Sequence, residues 1–219
     1  MREVRFFFDF VSPYSWLALM GAPAFERAHG VRFDLRPIVY AKVLEAHGLL
    51  GPVETPVKRR YTIHDVARCA RRLGLRLVGP PEHPFRSLAA LRVATLHRDG
   101  PAALALCGAL ADAAWSRGLD LTQLPVLERV VGEVGLDAQD LETRAGAVEV
   151  KEALRRSTAE AVALGVFGVP SFVHDGRLFW GHDRLEALSD SVSGRIDPAA
   201  EAEAEKMLTR PVGVVRART

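Results

Sequence analysis

The chain of 219 residues has little cysteine, almost no net charge and no long uninterrupted apolar run. Its two cysteines, Cys69 and Cys107, lie far apart within apolar helical patterns. This excludes a disulfide framework and favours small buried side chains in a reducing, cytoplasmic compartment. No stretch reaches the roughly 18 apolar residues of a membrane span, so we expect no membrane partner. A formal net charge of +2 gives no reason to expect a nucleic-acid partner.

Several other kinds of site are also missing. The seven histidines show neither a His-x-x-x-His pair nor a cluster with cysteine at zinc spacing, so we expect no metal site. There is no phosphate-binding loop of the Gly-x-x-x-x-Gly-Lys type and no Gly-x-Ser-x-Gly nucleophile elbow. The 48% hydrophobic and 26% charged residues are typical of an ordinary globular protein.

Hydrophobic patterning divides the chain into two β-containing pieces separated by helices. Residues 1–40 show a continuous apolar strand, a helix and an alternating strand, in the order β-α-β. Residues 157–219, together with the helix that leads into them, show α-β-β-α, with an Asp175-Gly176 turn typical of a hairpin. Each piece is too small to bury a core alone, so we expect one mixed sheet. The order predicts an α/β protein with a thioredoxin-like fold, in which residues 41–156 form a large helical insertion domain.

The junction between the first strand and the first helix is the most informative segment. Ser12 and Pro13 form a helix start, and a helix N-terminus at a cleft stabilises an anion, most usefully a thiolate. Redox proteins with this architecture have Cys-x-x-Cys at this place, whereas here Ser12 and Ser15 stand at the two ends. Dithiol exchange needs two thiols, so we expect no such activity, although an external thiol could bind. The alternative is that Ser12 only caps its helix.

A second informative segment precedes the third strand. Pro170 stands where thioredoxin folds have a cis-proline opposite the first helix N-terminus. The preceding residue, Val169, would then offer its backbone N–H and C=O to an extended ligand. The alternative is a proline that merely starts a strand, which does not explain its pairing with the Ser-Pro junction.

Four segments in the expected order resemble the 2-hydroxychromene-2-carboxylate isomerase family. That family is close to the kappa-class glutathione transferases and more distantly related to bacterial disulfide oxidoreductases. The resemblance covers nearly the whole chain. The segments are FDFVSPYSWLA (8–18), KRRYTIHDVAR (58–68), GVFGVPSFV (165–173) and LFWGHDRLEAL (178–188).

The resemblance implies glutathione as bound cofactor or cosubstrate. Ser12 matches the serine whose hydroxyl holds the glutathione sulfur, which would favour the thiolate. Val169 and Pro170 match the pair that binds the cysteinyl unit. His182 and Asp183 match the pair that holds the γ-glutamyl end. The alternative for Asp183 is a plain helix cap in a capping box with Glu186.

The first helix of the insertion contains Arg60, and its Tyr61, Asp65 and Arg68, spaced four and three apart, share one face. One interpretation is a solvated face with an Asp–Arg pair. The other places the face over the cleft, where arginine would bind a substrate carboxylate. The preceding segment, residues 51–58, departs from the asparagine- and lysine-containing stretch common in the family. The resemblance therefore does not identify the natural substrate.

We therefore expect a glutathione-dependent isomerase that acts on an unsaturated aromatic carboxylate. In this reaction type the thiolate adds reversibly to a conjugated carbon, the new single bond rotates, and elimination releases the isomer. A kappa-like transferase and a noncatalytic binding protein with a thioredoxin fold are the alternatives. The resemblance also implies a homodimer whose other partners are glutathione and a small-molecule substrate.

Overall fold

The computed structural model of the protein describes residues 2–211 and 213. This part of the chain forms four strands and ten α-helices. The strands are β1 (Arg2–Phe8), β2 (Val31–Pro37), β3 (Ser171–His174) and β4 (Arg177–Trp180). The helices are α1 (Pro13–His29), α2 (Tyr40–His47), α3 (Pro56–Arg72), α4 (Leu88–His97), α5 (Ala103–Trp115), α6 (Leu124–Glu133), α7 (Leu141–Ala145), α8 (Val148–Ala163), α9 (Leu185–Val192) and α10 (Pro198–Leu208). Short 3-10 helices occur at Pro52–Glu54 and His182–Arg184.

The four strands form one mixed sheet in the order β2-β1-β3-β4. Strand β1 pairs with β2 in parallel and with β3 in antiparallel orientation. The hairpin of β3 and β4 turns at Asp175 and Gly176, both at positive φ, which is the backbone that an Asp-Gly turn adopts readily. The predicted α/β class and thioredoxin-like fold are confirmed.

Strand β1 is buried on both faces because helices cover both sides of the sheet. Side chains alternate along a strand, so Phe6 and Phe8 point into the larger core while Phe7 points into a smaller one on the opposite face. The smaller core is completed by side chains such as Ile38 and Val166. This double burial explains why the sequence of β1 is continuously apolar.

Helix α1 begins and ends as its sequence predicts. Ser12 is the N-cap with extended backbone, Pro13 takes the first helical position, and Gly30 ends the helix at φ 62°. A side chain of the insertion holds the loop that precedes this helix. The indole Nε1 of Trp115 donates to the Phe10 carbonyl at 2.9 Å. The N-terminus of α1 therefore has a defined position against the insertion.

Helices α2–α8 lie between β2 and β3, where a helical insertion is expected. Most of their buried apolar side chains pack in the same larger core as β1, among them Leu106 and Leu110 of α5, whereas Val43 of α2 and Ala161 of α8 belong to the smaller core. The expected boundary at residue 156 falls inside α8, and the division into two domains stays a prediction. Helix α10 buries none of its residues and is peripheral. Within residues 2–211 no helix has the length and apolar character needed to cross a membrane.

Candidate active site

A cavity of about 1020 Å³ lies at the N-terminus of α1. Its walls come from the β1–α1 loop, the segment before β3, the 3-10 turn after β4, helix α3 and the segments around residues 51–54 and 83–88. A cavity of this size and mixed lining is typical of a small-molecule site. It brings together seven of the nine site residues expected from the sequence: Ser12, Tyr61, Asp65, Val169, Pro170, His182 and Asp183.

The Ser12 hydroxyl lies against the segment before β3. Its Oγ donates to the Val169 carbonyl at 3.1 Å and accepts from the Ser15 N–H at 3.3 Å. The Val169–Pro170 peptide bond is cis, as expected for this fold. Because the hydroxyl carries a single proton, it cannot donate to a ligand while it donates to Val169.

The N-terminus of α1 has no acidic side chain in its first turn to compensate the helix dipole. Pro13 has no N–H, and the Ser15 N–H is directed at Ser12 Oγ. Among the described residues, the Tyr14 N–H has no hydrogen-bond partner. The cavity therefore contains a free N–H donor and the positive end of a helix, which together favour an anion.

A hydrogen-bonded cluster joins α1 to α3 across the cavity. The Tyr14 hydroxyl donates to Asp65 Oδ2 at 2.8 Å, and the Tyr61 hydroxyl donates more weakly to Oδ1 at 3.5 Å. The Tyr14 ring stacks on His182 with ring centres 5.2 Å apart. Burial and the Asp65 carboxylate raise the pKa of Tyr14, so its phenol stays protonated at neutral pH. Burial lowers the pKa of His182, which favours the neutral imidazole.

Neither of the two arginines expected to bind substrate lines the cavity. Arg60 and Arg68 are exposed, because the lining face of α3 runs through positions 62, 65, 69 and 72 and Arg68 falls at its outer edge. The arginines in the cavity wall are Arg72, Arg86 and Arg184. Arg184 pairs with Asp183 at 3.3 Å, whereas Arg72 and Arg86 have no ion-pair partner among the described residues.

The two cysteines differ in their surroundings. Cys107 is fully buried, as expected. Cys69, also expected to be a small buried side chain, is only partly buried and lines the cavity, with its Sγ 4.0 Å from Asp65 Oδ2. Burial and the Asp65 carboxylate raise the pKa of Cys69, which therefore holds its proton at neutral pH.

The sequence reasoning missed Asp9, a buried carboxylate at the base of the cavity. Asp9 is 2% exposed, and its two oxygens accept from the Val11 and Tyr40 N–H groups, each at 3.0 Å. It thereby joins the loop that carries Ser12 to the start of α2. Burial is the largest influence on Asp9 and raises its pKa. A single acid that interrupts an otherwise apolar run was the signal that could have revealed it.

His83 was also missed, and no local sequence signal marks it. One ring nitrogen lies 3.0 Å from the Val11 carbonyl, and since a carbonyl only accepts, that nitrogen carries the proton. The ring centres of His83 and Trp115 lie 5.1 Å apart in an edge-to-face arrangement, and burial lowers the pKa of His83. His83 therefore supports the Ser12 loop from the insertion side. No group of three His, Cys, Asp or Glu side chains in the described part of the chain could hold a metal ion.

The expected capping box at Asp183 is wrong. Helix α9 begins only at Leu185 and has no side-chain cap, because residues 182–184 form a separate 3-10 turn. Gly181 precedes this turn at φ 112°, a backbone conformation that favours glycine. The Asp183 carboxylate is exposed at the cavity edge, and its weak exposed pair with Arg184 leaves acceptor sites on its oxygens for a ligand.

The segment that departs from the family pattern forms part of the cavity wall. Gly51, Pro52, Val53 and Glu54 all line it, and the Gly51 N–H donates to Glu54 Oε1 at 2.6 Å. An acid and two apolar side chains thus lie in this part of the wall.

Comparisons with known proteins agree with this architecture. Residues 3–193 match the DSBA-like thioredoxin domain. The 2-hydroxychromene-2-carboxylate isomerase of Pseudomonas putida is 31% identical in an alignment of 198 positions that covers 88% of this chain and 95% of the relative. Glutathione S-transferase kappa 1 of Homo sapiens is 27% identical in an alignment of 219 positions that covers 92% of this chain and 97% of the relative. A solved 2-hydroxychromene-2-carboxylate isomerase superposes with a TM-score of 0.78 at 26% identity, covering 93% of this chain and 98% of that one.

The chain belongs to the DsbA-like thioredoxin family. Its resemblance to the 2-hydroxychromene-2-carboxylate isomerases and the kappa-class glutathione transferases is confirmed by relatives of both names. These relatives support an enzyme.

Proposed function

We propose that the protein is a glutathione-dependent isomerase of the 2-hydroxychromene-2-carboxylate type, acting on an unsaturated aromatic carboxylate. The observation that carries the proposal is the position of the Ser12 hydroxyl. It replaces a cysteine at the uncompensated N-terminus of α1 and faces a cis Val169–Pro170 backbone inside a large cavity. A thiol from outside the chain fits this arrangement.

The residues around Ser12 suit glutathione. The Ser12 hydroxyl and the free Tyr14 N–H would hold the sulfur as a thiolate. The Val169 N–H has no hydrogen-bond partner among the described residues, and its carbonyl has only the Ser12 hydroxyl, so both can pair with a cysteinyl backbone. The Asp183 carboxylate would meet the γ-glutamyl amine beside His182.

The bond between Ser12 and Val169 couples backbone pairing to thiolate binding. In the free protein the Val169 carbonyl accepts the hydroxyl proton of Ser12. An N–H donated to that carbonyl by a bound cysteinyl unit would compete with the hydroxyl as donor and weaken its hold on the hydroxyl proton. The hydroxyl could then turn toward the sulfur, so a ligand without the backbone amide would benefit less from Ser12.

Bound glutathione would supply a thiolate that adds reversibly to a conjugated carbon, which allows the former double bond to rotate before elimination restores it. The protein's residues would orient the substrate and keep the site apolar. We place the substrate carboxylate near Arg72 and Arg86, the lining arginines without an ion-pair partner among the described residues. Arg60 and Arg68 stay candidates only for contacts at the outer rim.

The experiment is incubation with glutathione and 2-hydroxychromene-2-carboxylate, followed by mass spectrometry and chromatography. Isomer formed with glutathione unchanged supports the proposal. A conjugate that accumulates favours a kappa-like transferase. This is the second candidate because kappa-class transferases that are 27% identical are among the relatives. Binding of glutathione without any turnover favours a noncatalytic binding protein.

The proposal excludes a dithiol–disulfide oxidoreductase. The four-residue site at the start of α1 contains no thiol, and the one cysteine in the cavity wall, Cys69, has a raised pKa. Replacing Cys69 by serine should leave isomerase turnover within about twofold, because a protonated thiol is a weak nucleophile. Loss of turnover in this variant would contradict the assignment of the chemistry to an external thiol.

A cytoplasmic location and a homodimer complete the proposal. Both cysteines are free, which suits a reducing compartment. Light scattering of the purified protein tests the dimer, since a mass equal to a single chain would contradict it.

A further inference from the structure

A second groove, of about 490 Å³, lies between α4 and α8, beside the start of α2. It is lined by four basic side chains over an apolar floor, and its lining contains no acidic residue. The basic residues are Lys42, Arg92, Lys151 and Arg155; the floor includes Val39, Leu88, Leu154, Ala159 and Val162. We propose that this groove binds an organic carboxylate with an apolar body, at a site separate from the cavity at Ser12.

Two of the four cations already have partners. Lys42 pairs with Glu45 at 2.6 Å and Arg155 pairs with Glu152 at 2.8 Å, both at exposed positions. The neighbouring carboxylates offset part of the attraction of these two exposed cations for an anionic ligand, so Lys42 and Arg155 are not the main anchors.

The other two cations are free. Arg92 and Lys151 have no ion-pair partner among the described residues. The Arg92 Nε is buried and lacks a hydrogen-bond partner within the described part of the chain. A buried donor without an acceptor is uncommon in folded proteins, and here it means that no acceptor among the described residues holds the Arg92 guanidinium, which can turn its N–H groups toward a ligand oxygen. Arginine binds a carboxylate through two parallel N–H donors, so Arg92 is the expected anchor.

The groove shares part of its wall with the first cavity, through Val39 and Leu88. That wall is held in place, because the Val39 N–H donates to Thr158 Oγ1 at 3.1 Å and the next N–H, of Tyr40, donates to Asp9. A fixed wall allows both sites to be filled at once. The apolar floor is large enough for an aryl or short alkyl group.

The test is calorimetric titration of the full chain with 2-naphthoate in the presence of saturating S-hexylglutathione, which under the proposed function fills the cavity at Ser12. We expect one naphthoate site, and no comparable binding of the uncharged 2-naphthylmethanol.

The double variant Arg92→Met with Lys151→Met removes both free cations and keeps their apolar stems. It should weaken 2-naphthoate binding by about tenfold or more, because a hydrogen bond to a charged group is lost. The matched control, Arg71→Met with Lys58→Met, makes the same charge change at exposed positions outside both linings and should leave the affinity within about twofold. Lys151→Met alone changes only an exposed side chain and should weaken binding by roughly threefold.

Equal affinity in the double variant and its control would overturn the proposal. So would equal binding of 2-naphthylmethanol, or displacement of 2-naphthoate by S-hexylglutathione. Failure of S-hexylglutathione to bind would count against glutathione at Ser12, and the comparison of variants would still decide the second site.

Discussion

Replacement of Ser12 by alanine tests the candidate site at its centre. The Ser12 side chain is buried and makes two hydrogen bonds in the free protein, as donor to the Val169 carbonyl and as acceptor from the Ser15 N–H. Alanine removes both without adding volume. The helix loses its N-cap, and the Val169 carbonyl loses the one donor that the structure gives it.

The expected effect on stability follows from these two losses. Loss of an N-cap reduces the free energy of unfolding by about 1 kcal/mol. A carbonyl left without its donor adds about 1 kcal/mol more. The sum of about 2 kcal/mol lowers the Tm of a chain of this length by roughly 4–8 °C. Thermal and urea unfolding of Ser12→Ala against the wild type measure it.

The expected effect on activity is larger. A hydroxyl donated to an anion contributes about 1.5–3 kcal/mol, so turnover should fall by roughly 10- to 100-fold. The same loss raises the pKa of the bound thiol, because the thiolate loses a hydrogen-bond donor. The pH dependence of kcat/KM should therefore shift to higher pH in Ser12→Ala.

Ser15→Ala is the matched control. Ser15 is fully buried on the same turn, and its hydroxyl has no hydrogen-bond partner among the described residues. Its loss should leave stability unchanged or slightly higher, because an unpaired buried polar group is removed. Equal destabilisation in the two variants would refute the hydrogen-bond reasoning, and equal turnover would remove Ser12 from the reaction.

Three further predictions concern other parts of the cavity. Arg86→Met should raise the KM of a carboxylate substrate about tenfold but not that of its amide, whereas Arg60→Met should change neither; steady-state kinetics decide. Tyr14→Phe removes the hydroxyl donated to a carboxylate and should reduce the free energy of unfolding by about 1–2 kcal/mol in urea; an unchanged value would contradict that bond. Burial raises the pKa of Asp9 in the folded state above its ordinary 3.8, so the protonated form stabilises the fold. This contribution is full below pH 3.8 and is lost as pH rises through the folded-state pKa. Urea unfolding over a pH series should therefore show that the free energy of unfolding of the wild type falls with pH relative to that of Asp9→Asn, and a relative rise would contradict it.

Local patterns were sufficient for the framework of the fold. The Ser12-Pro13 start of α1 and the Asp175-Gly176 hairpin are short-range signals, because each depends on the backbone preferences of adjacent residues. The double burial of β1 could also be read from its apolar run. These elements position Ser12, Val169 and Pro170, so the residues at the centre of the cavity could be predicted from the sequence.

The residues at the rim of the cavity could not be predicted from the sequence in the same way. Which face of α3 meets the cleft depends on how the helix packs, so spacing alone did not separate Arg68 from Arg72 or reveal Cys69 in the wall. Asp183 was expected in a capping box because its spacing to Glu186 fits one, but Gly181 allows a separate 3-10 turn instead. His83 reaches the Ser12 loop only through tertiary packing.

A crystal structure of the protein soaked with reduced glutathione tests the central claim most directly. The account predicts the sulfur within hydrogen-bond distance of both Ser12 Oγ and the Tyr14 N–H, with the cysteinyl backbone paired to Val169. A sulfur bonded to Cys69, or a tripeptide bound away from the N-terminus of α1, would contradict it.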